Sequence, residues 1–150
     1  MRKKDLYQVS LKAILTNGDN KLLALKAHTG GSLAGSYDLP GGRINDDEFN
    51  VSPESILERE IKEEVGNIEF TVNKYPVAIG RHLVPAKGGN QEIHIFYIFF
   101  KGEIKSEEIK TSDEHSGFSW IDFPMDNPEK YFKSGILEGV KMYLEKISKE

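Results

Sequence analysis

The order of apolar and polar residues divides the chain into strand-like and helix-like segments. Residues 7–15 and 21–26 are rich in apolar side chains, and the turn sequence Asn17-Gly18-Asp19-Asn20 between them predicts a hairpin. The run IHIFYIFF within residues 92–100 is almost continuously apolar, which predicts a strand buried on both faces. Further extended segments are predicted at 37–39, at 70–84 with an interruption near Pro76, and at 118–121.

Two segments carry the signals of helices. Ser52 is suited to cap the first helix, Pro53 to its first position and Gly66 to its end. The second helical region covers residues 128–149, and its apolar stripe consists of Leu137, Val140, Met142, Tyr143, Leu144 and Ile147. Strands and helices in this order predict an α/β (α+β) fold with a mixed sheet flanked by helices. Since no linker interrupts residues 1–150, we expect a single domain.

Composition narrows the classes of function without choosing one. The 150 residues contain no cysteine, which excludes disulfides, thiolate metal ligands and a cysteine nucleophile. No apolar run is long enough to cross a membrane, and the net charge of -4 argues against an extended nucleic-acid surface. We therefore expect a cytoplasmic globular protein that is a monomer or a homodimer.

Glutamates gather along one margin of the first predicted helix. At about 100° per residue, Glu64 projects about 20° from the centre of the apolar stripe, and Glu60 and Glu63 follow the same margin. Like charges at these spacings repel one another, and partial burial raises the cost, so a cation should offset them. Arg59 and Lys62 project towards the far side of the helix and are expected to be poor partners.

Two explanations of these glutamates remain open on helix geometry. Three carboxylates on one helical face suit Mg²⁺, Mn²⁺ or Ca²⁺, because these cations prefer oxygen ligands. Alternatively, the carboxylates form a charged margin that pairs with Lys and Arg side chains from elsewhere in the chain. Gly41-Gly42 favours the metal, since a turn without side chains can bring backbone close to a ligand or to the helix and supply a carbonyl oxygen.

Residues 42–66 resemble the Nudix box, whose pattern is G-x5-E-x7-R-E-U-x-E-E-x-G-U, with U an aliphatic residue. The matching positions are Gly42, Arg59, Glu60, Ile61, Glu63, Glu64 and Gly66. The preceding segment Tyr37-Asp38-Leu39-Pro40-Gly41-Gly42 is similar to the aromatic-x-LPGG sequence that leads into the box. Residues 113–122 resemble the late acidic segment and the following strand of the same family.

The loop before the helix departs from the family pattern. Ten residues separate Glu48 from Arg59 where the box has seven, which indicates a three-residue insertion before Ser52. Glu48 is then the candidate for the first glutamate of the box, a chiefly structural position in the family. Asn67 stands where an aliphatic residue is usual, and Ile68 is expected to take over its packing.

The resemblance implies a mixed sheet between helices, a loop-helix-loop site, and metal-dependent hydrolysis of a nucleoside diphosphate linked to another moiety. It implies that Glu60, Glu63, Glu64 and the carbonyl of Gly41 bind Mg²⁺ or Mn²⁺. It gives structural roles to Gly42, Glu48, Arg59 and Gly66. The candidates for the general base that deprotonates the attacking water are Glu63, Glu64 and Glu114.

Residues that would select the substrate are less well marked. Arg81 and His82 precede a Gly-rich loop and are candidates for phosphate binding, with an ordinary surface strand face as the alternative. A nucleoside triphosphate or related nucleotide is the expected substrate, because the sequences typical of ADP-ribose-, NADH- and coenzyme A-directed members are missing. Two other functions remain open: a Nudix domain that senses a nucleotide without cleaving it, and an unrelated acidic helix that binds a partner.

Overall fold

The computed structural model describes residues 1–105, 109 and 115–150, with the side chains of residues 115 and 116 excepted. Its strands are β1 Tyr7–Thr16, β2 Lys21–Ala27, β3 Tyr37–Asp38, β4 Gly41–Arg43, β5 Phe70–Val84, β6 Ile93–Ile104 and β7 His115–Asp122. Its helices are α1 Pro53–Val65 and α2 Ser134–Ser148, and a single 3-10 turn at Pro128–Lys130 precedes α2.

A mixed sheet forms the centre of the molecule. Among the described strands the order is β3-β2-β1-β6-β5, with β4 paired to β1 and β7 paired to β2. β1 and β6 run parallel, from Tyr7 opposite His94 to Thr16 opposite Glu103, and β5 pairs with β6 in the antiparallel sense. Parallel strands need cover on both faces, and helices provide it here.

The alternation of side chains along β1 separates two apolar cores. Leu11, Ala13 and Leu15 point to the face covered by α1, where they pack with residues such as Leu57. Ile14 points to the other face, which α2 covers. The sheet between two helical layers confirms the predicted α/β (α+β) fold, and the chain places α1 on the face from which the glutamates can reach β1 and β4.

Local sequence signals set both ends of α1. The Ser52 Oγ accepts a hydrogen bond from the Ser55 N–H at 3.2 Å, and Pro53 is the first helical residue. Gly66 ends the helix with φ of +88°, and its N–H donates to the Lys62 carbonyl. The predicted cap and stop are both confirmed.

Three details of the predicted elements differ in the structure. β1 and β2 are antiparallel neighbours, but β2 makes its long ladder with β7 rather than with β1. β5 continues through Pro76, where the interruption takes the form of register shifts against β6. Met142 is exposed and lies outside the buried stripe of α2. None of the described helices is long and apolar enough to span a membrane.

Candidate active site

The two glycines before α1 form a strand, so the predicted Gly-Gly turn is wrong. Gly42 lies opposite Leu11 and Gly41 opposite Lys12, within the short antiparallel ladder between β4 and β1. Gly41 has φ of +142°, and a methyl group there would overlap the carbonyl of Leu11. The glycines therefore allow β4 to lie directly on β1, in front of α1.

Glu64 is turned into the protein, as its position on the helix predicts. Its residue is 3% exposed, and its Oε1 accepts a hydrogen bond from the Gly41 N–H at 2.6 Å. A backbone N–H is a strong partner for a carboxylate, and it fixes the side chain against β4. The N–H of Gly41 thus orients Glu64. The sequence had indicated a role for the carbonyl of Gly41, but not this role for its N–H.

Gly42 leaves room for a second carboxylate. A methyl group at this position would overlap the carboxylate of Glu60, which is half-buried against the strand. Glu60 and Glu64 therefore reach the same short strand from successive turns of α1. This close approach is available only where β4 has no side chain pointing at the helix.

Arg59 contacts the glutamates, and the prediction that it is a poor partner is wrong. Its guanidinium lies 2.7 Å from Glu48 Oε2, 3.0 Å from Glu63 Oε1 and 3.2 Å from Glu60 Oε1. The helical angle gives only the direction in which the side chain leaves the backbone. The long arginine side chain bends back along the helix and brings its charge to the acidic margin. The hydrogen bonds that Arg59 donates to Glu48 and Glu63 raise the pKa of Arg59 above its ordinary value.

Glu48 closes the inserted loop onto the helix. It accepts the N–H of Asn45 at 2.8 Å and also bonds to Arg59. The hydrogen bond from the Asn45 N–H has the largest effect in lowering the pKa of Glu48 below its ordinary value, and Arg59 lowers it further. The structure therefore places Glu48 beside the arginine of the box despite the three extra residues.

A cavity of about 430 Å³ opens between β4, the sheet and the loop of residues 28–36. Glu60 and Glu64 lie at its wall, and so does Arg43. The sheet contributes the polar or aromatic side chains of Ser10, Lys12, His82 and Tyr97, together with the aliphatic Ile95, from β1, β5 and β6. A charged and partly aromatic cavity that reaches two carboxylates is suited to an anionic ligand with an aromatic part, provided that cations offset the carboxylates.

A buried ion pair forms part of the wall of this cavity. The Lys12 Nζ is 3.0 Å from Asp38 Oδ1, donates to the Leu39 carbonyl and lies over the ring of Tyr97. Burial disfavours the ammonium form, but the carboxylates of Asp38 and Glu64 outweigh it, so the pKa of Lys12 is above its ordinary value. Burial also raises the pKa of the Tyr97 hydroxyl to about 12. Lys12 therefore remains a fixed positive charge near Glu64.

The two residues predicted to bind phosphate lie on opposite faces of β5. His82 lines the cavity and is 9% exposed. Arg81 is exposed on the other face of the strand, and its backbone N–H donates to Glu138. The Glu63 side chain is 58% exposed and is held by Arg59. Glu114 lies outside the described residues.

Sequence reasoning missed most of the cavity wall. Lys12, Asp38, Arg43 and Ser32 were not candidates, although all of them line the cavity. One signal was available: Lys12 interrupts an otherwise apolar stretch of β1, and a charge in the middle of a strand requires a partner. The others come together only through the pairing of distant strands.

The donor set fits a divalent cation, but the ligands do not yet converge on one point. Within the described ranges, no group of three or more His, Cys, Asp or Glu side chains is arranged to hold a metal ion. Glu63 is directed to Arg59 and Glu64 to Gly41. Oxygen ligands at the end of a polar cavity are nevertheless those that Mg²⁺ and Mn²⁺ prefer, and Glu60 and Glu64 already lie in the cavity wall.

Comparisons with known proteins identify the family. The family model of the NUDIX domain matches residues 6–132, whereas a search of curated proteins gave no match. Among solved structures, a MutT protein from Methanosarcina mazei Go1 has a TM-score of 0.69 at 22% identity, with 99% of this chain and 100% of that chain covered. An ADP-ribose pyrophosphatase from Streptococcus suis 89-1591 has a TM-score of 0.61 at 16% identity, covering 95% and 92% of the two chains.

A third solved structure contains a ligand. The NUDIX domain of Shewanella oneidensis NrtR, in complex with ADP ribose, has a TM-score of 0.64 at 12% identity and covers 96% of this chain and 90% of its own. At these identities the structural likeness concerns the fold. The match of the NUDIX model over most of the chain shows that this protein belongs to the Nudix hydrolase family.

Proposed function

We propose that the protein hydrolyses the diphosphate linkage of a nucleotide in a reaction that requires Mg²⁺ or Mn²⁺. Enzymes of this family generally need divalent metal ions. The observation that carries the proposal is the cavity that ends at Glu60 and Glu64, two acidic residues of the Nudix box, with Lys12 and Arg43 in the same wall. Carboxylates for a metal and cations for phosphate oxygens, arranged along one cavity, are what such a reaction requires.

Glu60, Glu63, Glu64 and the carbonyl of Gly41 would hold the metal. When bound, a divalent ion neutralises phosphate charge and lowers the pKa of a water molecule. The chain itself orients the carboxylates: the Gly41 N–H donates to Glu64, and Arg59 donates to Glu63. Arg43, whose side chain is exposed at the cavity and donates to Gln8, is available to contact a phosphate oxygen.

The proposed general base is one of Glu63, Glu64 and Glu114. The base must lie within hydrogen-bonding reach of the attacking water and must be ionised. Glu63 is exposed and pairs with Arg59, while Glu64 is buried and accepts the Gly41 N–H. Nucleoside triphosphates are the proposed substrates. ADP-ribose is a further proposed substrate, because one structurally similar protein is an ADP-ribose pyrophosphatase and another is a domain with bound ADP ribose.

A substrate panel tests the proposal. Nucleoside triphosphates, ADP-ribose and other diphosphate-linked nucleotides are incubated with Mg²⁺ or Mn²⁺, and phosphate or pyrophosphate release is measured. We expect Glu60→Gln, Glu63→Gln and Glu64→Gln to lower the rate by at least about 10- to 100-fold. Glu58→Gln is the matched control, since Glu58 is an exposed glutamate on the same helix outside the cavity. If the three variants match the wild type on a substrate that it cleaves, the proposed site is wrong.

A nucleotide-sensing domain is the second candidate function. It is favoured by the solved NUDIX domain of Shewanella oneidensis NrtR, a structurally similar domain that is in complex with ADP ribose. Calorimetric titration of the same nucleotides separates the two functions. Tight binding without product in the presence of either metal would replace hydrolysis by sensing.

A further inference from the structure

His82 is buried at the wall of the cavity with both ring nitrogens engaged. Nδ1 lies 2.7 Å from the Ser134 Oγ, and Nε2 lies 2.9 Å from the Ser32 Oγ. The ring also stacks on Tyr97, with centroids 6.3 Å apart and an interplanar angle of 23°. Since both nitrogens already have partners, His82 cannot contact a phosphate group without breaking one of these hydrogen bonds.

The two serines belong to separate parts of the chain. Ser32 is in the loop of residues 28–36, hereafter the cavity loop, which contributes His28, Gly31, Ser32 and Leu33 to the cavity wall. Ser134 is the first residue of α2. The imidazole ring therefore joins a wall of the cavity to β5 and to the start of the second helix.

Other contacts tie the same two regions together, but at the ends of the cavity loop or outside the cavity. The Lys133 Nζ donates to the Ala34 carbonyl at 2.7 Å, and the Tyr37 N–H donates to the Tyr131 carbonyl at 2.9 Å. Neither Lys133 nor Tyr131 lines the cavity among the described residues. Among these three ties, the bridge through His82 is the one whose side chains themselves form the wall.

The chemistry of imidazole explains why a histidine stands here. Burial lowers the pKa of His82, so the ring is neutral and has one donor and one acceptor nitrogen. A serine hydroxyl both donates and accepts, so two serines satisfy the ring in either tautomer. The two nitrogens point in different directions and can span two hydroxyl groups that belong to different elements.

We propose that His82 is a positioning residue that fixes the cavity loop through Ser32 and so determines how tightly the cavity holds its nucleotide. This role rests on the proposed function and deepens it. The residue touches no reacting group. It holds the wall against which the ligand packs, so its loss lowers affinity and leaves the chemical step intact.

Two conservative substitutions separate the two hydrogen bonds. The side-chain amide of glutamine reaches about as far as Nε2, and that of asparagine about as far as Nδ1. His82→Gln should therefore keep the bond to Ser32, and His82→Asn should lose it and keep the bond to Ser134. A residue needed only to fill space would instead give His82→Asn and Ser32→Ala independent effects that add in the double variant.

Amide hydrogen exchange tests the positioning role without reference to activity. We expect His82→Asn and Ser32→Ala to increase exchange in the cavity loop, and their double variant to add nothing further. His82→Gln should leave exchange in the loop close to that of the wild type. His94→Asn is the control, because His94 lies at the exposed end of β6 and bonds to Asp5 and Glu92. Equal exchange in all variants overturns the proposal.

Kinetics on the best substrate of the panel tests the effect on the ligand. We expect KM to rise about three- to tenfold in His82→Asn and Ser32→Ala, with kcat within about twofold of the wild type. A fall in kcat at constant KM overturns the proposal, because His82 would then act in the reaction itself. If the protein hydrolyses nothing, the proposed function fails on its own. Hydrogen exchange and nucleotide titration then decide the role of His82: unchanged loop exchange or unchanged affinity rejects it.

Discussion

At the scale of single residues, the adjacent Gly41 and Gly42 have different roles, because a side chain added at each position would contact different atoms. A side chain at Gly41 would collide with the backbone carbonyl of Leu11 in the sheet. A side chain at Gly42 would collide with the end of the flexible Glu60 side chain instead. Backbone in a sheet cannot move aside without breaking its ladder, whereas a carboxylate can rotate.

This difference predicts opposite consequences for two alanine substitutions. Gly41→Ala should destabilise the fold by more than about 1 kcal/mol, because φ is positive and the strand must shift. Gly42→Ala should change stability little and weaken Mn²⁺ binding about tenfold or more, because Glu60 is displaced. Urea unfolding and metal titration measure the two effects. Equal losses of stability would contradict the separation.

Glu48 gives the inserted loop a dependence on pH. Its pKa is lowered in the folded protein by the Asn45 N–H and by Arg59. A lowered pKa means that the carboxylate stabilises the fold above its unfolded pKa of about 4.3, and that this contribution is lost as the pH falls through the folded pKa. We expect the protection of the Asn45 amide, measured as its exchange rate relative to that of an unfolded amide at the same pH, to fall below about pH 4. In Glu48→Gln this fall should be absent, and its persistence there would assign the effect to another group.

At the scale of elements, α1 was predictable because its signals are local. Ser52, Pro53 and Gly66 act within one turn of the helix ends, and the inward direction of Glu64 follows from the helical repeat. β4 was not predictable, because Gly41–Arg43 becomes a strand only by pairing with β1. The position of the Arg59 charge was missed for a similar reason: its side chain is long, and its partners include a loop residue.

The contribution of the Ser52 cap of α1 to the free energy of unfolding can be measured. Ser52→Ala removes the hydroxyl that accepts the Ser55 N–H, and we expect a loss of about 1 kcal/mol in the free energy of unfolding. Ser148→Ala is the control, since Ser148 lies at the exposed last turn of α2 and its hydroxyl donates to the nearby Glu145 carbonyl. Chemical denaturation compares the two variants. A loss as large in the control would show that the cap is unimportant.

At the scale of the whole molecule, the cavity is a product of the sheet order. Lys12 of β1, Asp38 of β3 and Tyr97 of β6 come from distant parts of the sequence and meet on one face. Alternation within a strand predicts which side chains share a face, but not which strands are neighbours. The acidic helix was therefore readable from the sequence, and the wall opposite it was not.

The buried pair of Lys12 and Asp38 should respond to substitution as a unit. Lys12→Met leaves Asp38 without its main cation, and we expect a loss of about 3–5 kcal/mol. Adding Asp38→Asn should recover part of this loss, since the amide carries no charge and still accepts the Leu39 N–H. Unfolding by guanidinium measures both variants. Strictly additive losses would mean that the two side chains do not depend on each other.

The parallel pairing of β1 with β6 also affects how the protein folds. Half of the chain, residues 17–92, lies between these strands, so their pairing closes a long loop and belongs to the slow steps of folding. Until that step, β6 has its local partner β5 but lacks β1 on its other edge, and the apolar run IHIFYIFF is of a kind that is prone to intermolecular association. The strand that contributes Tyr97 to the cavity wall is therefore also a segment that must be kept from intermolecular association until folding is complete.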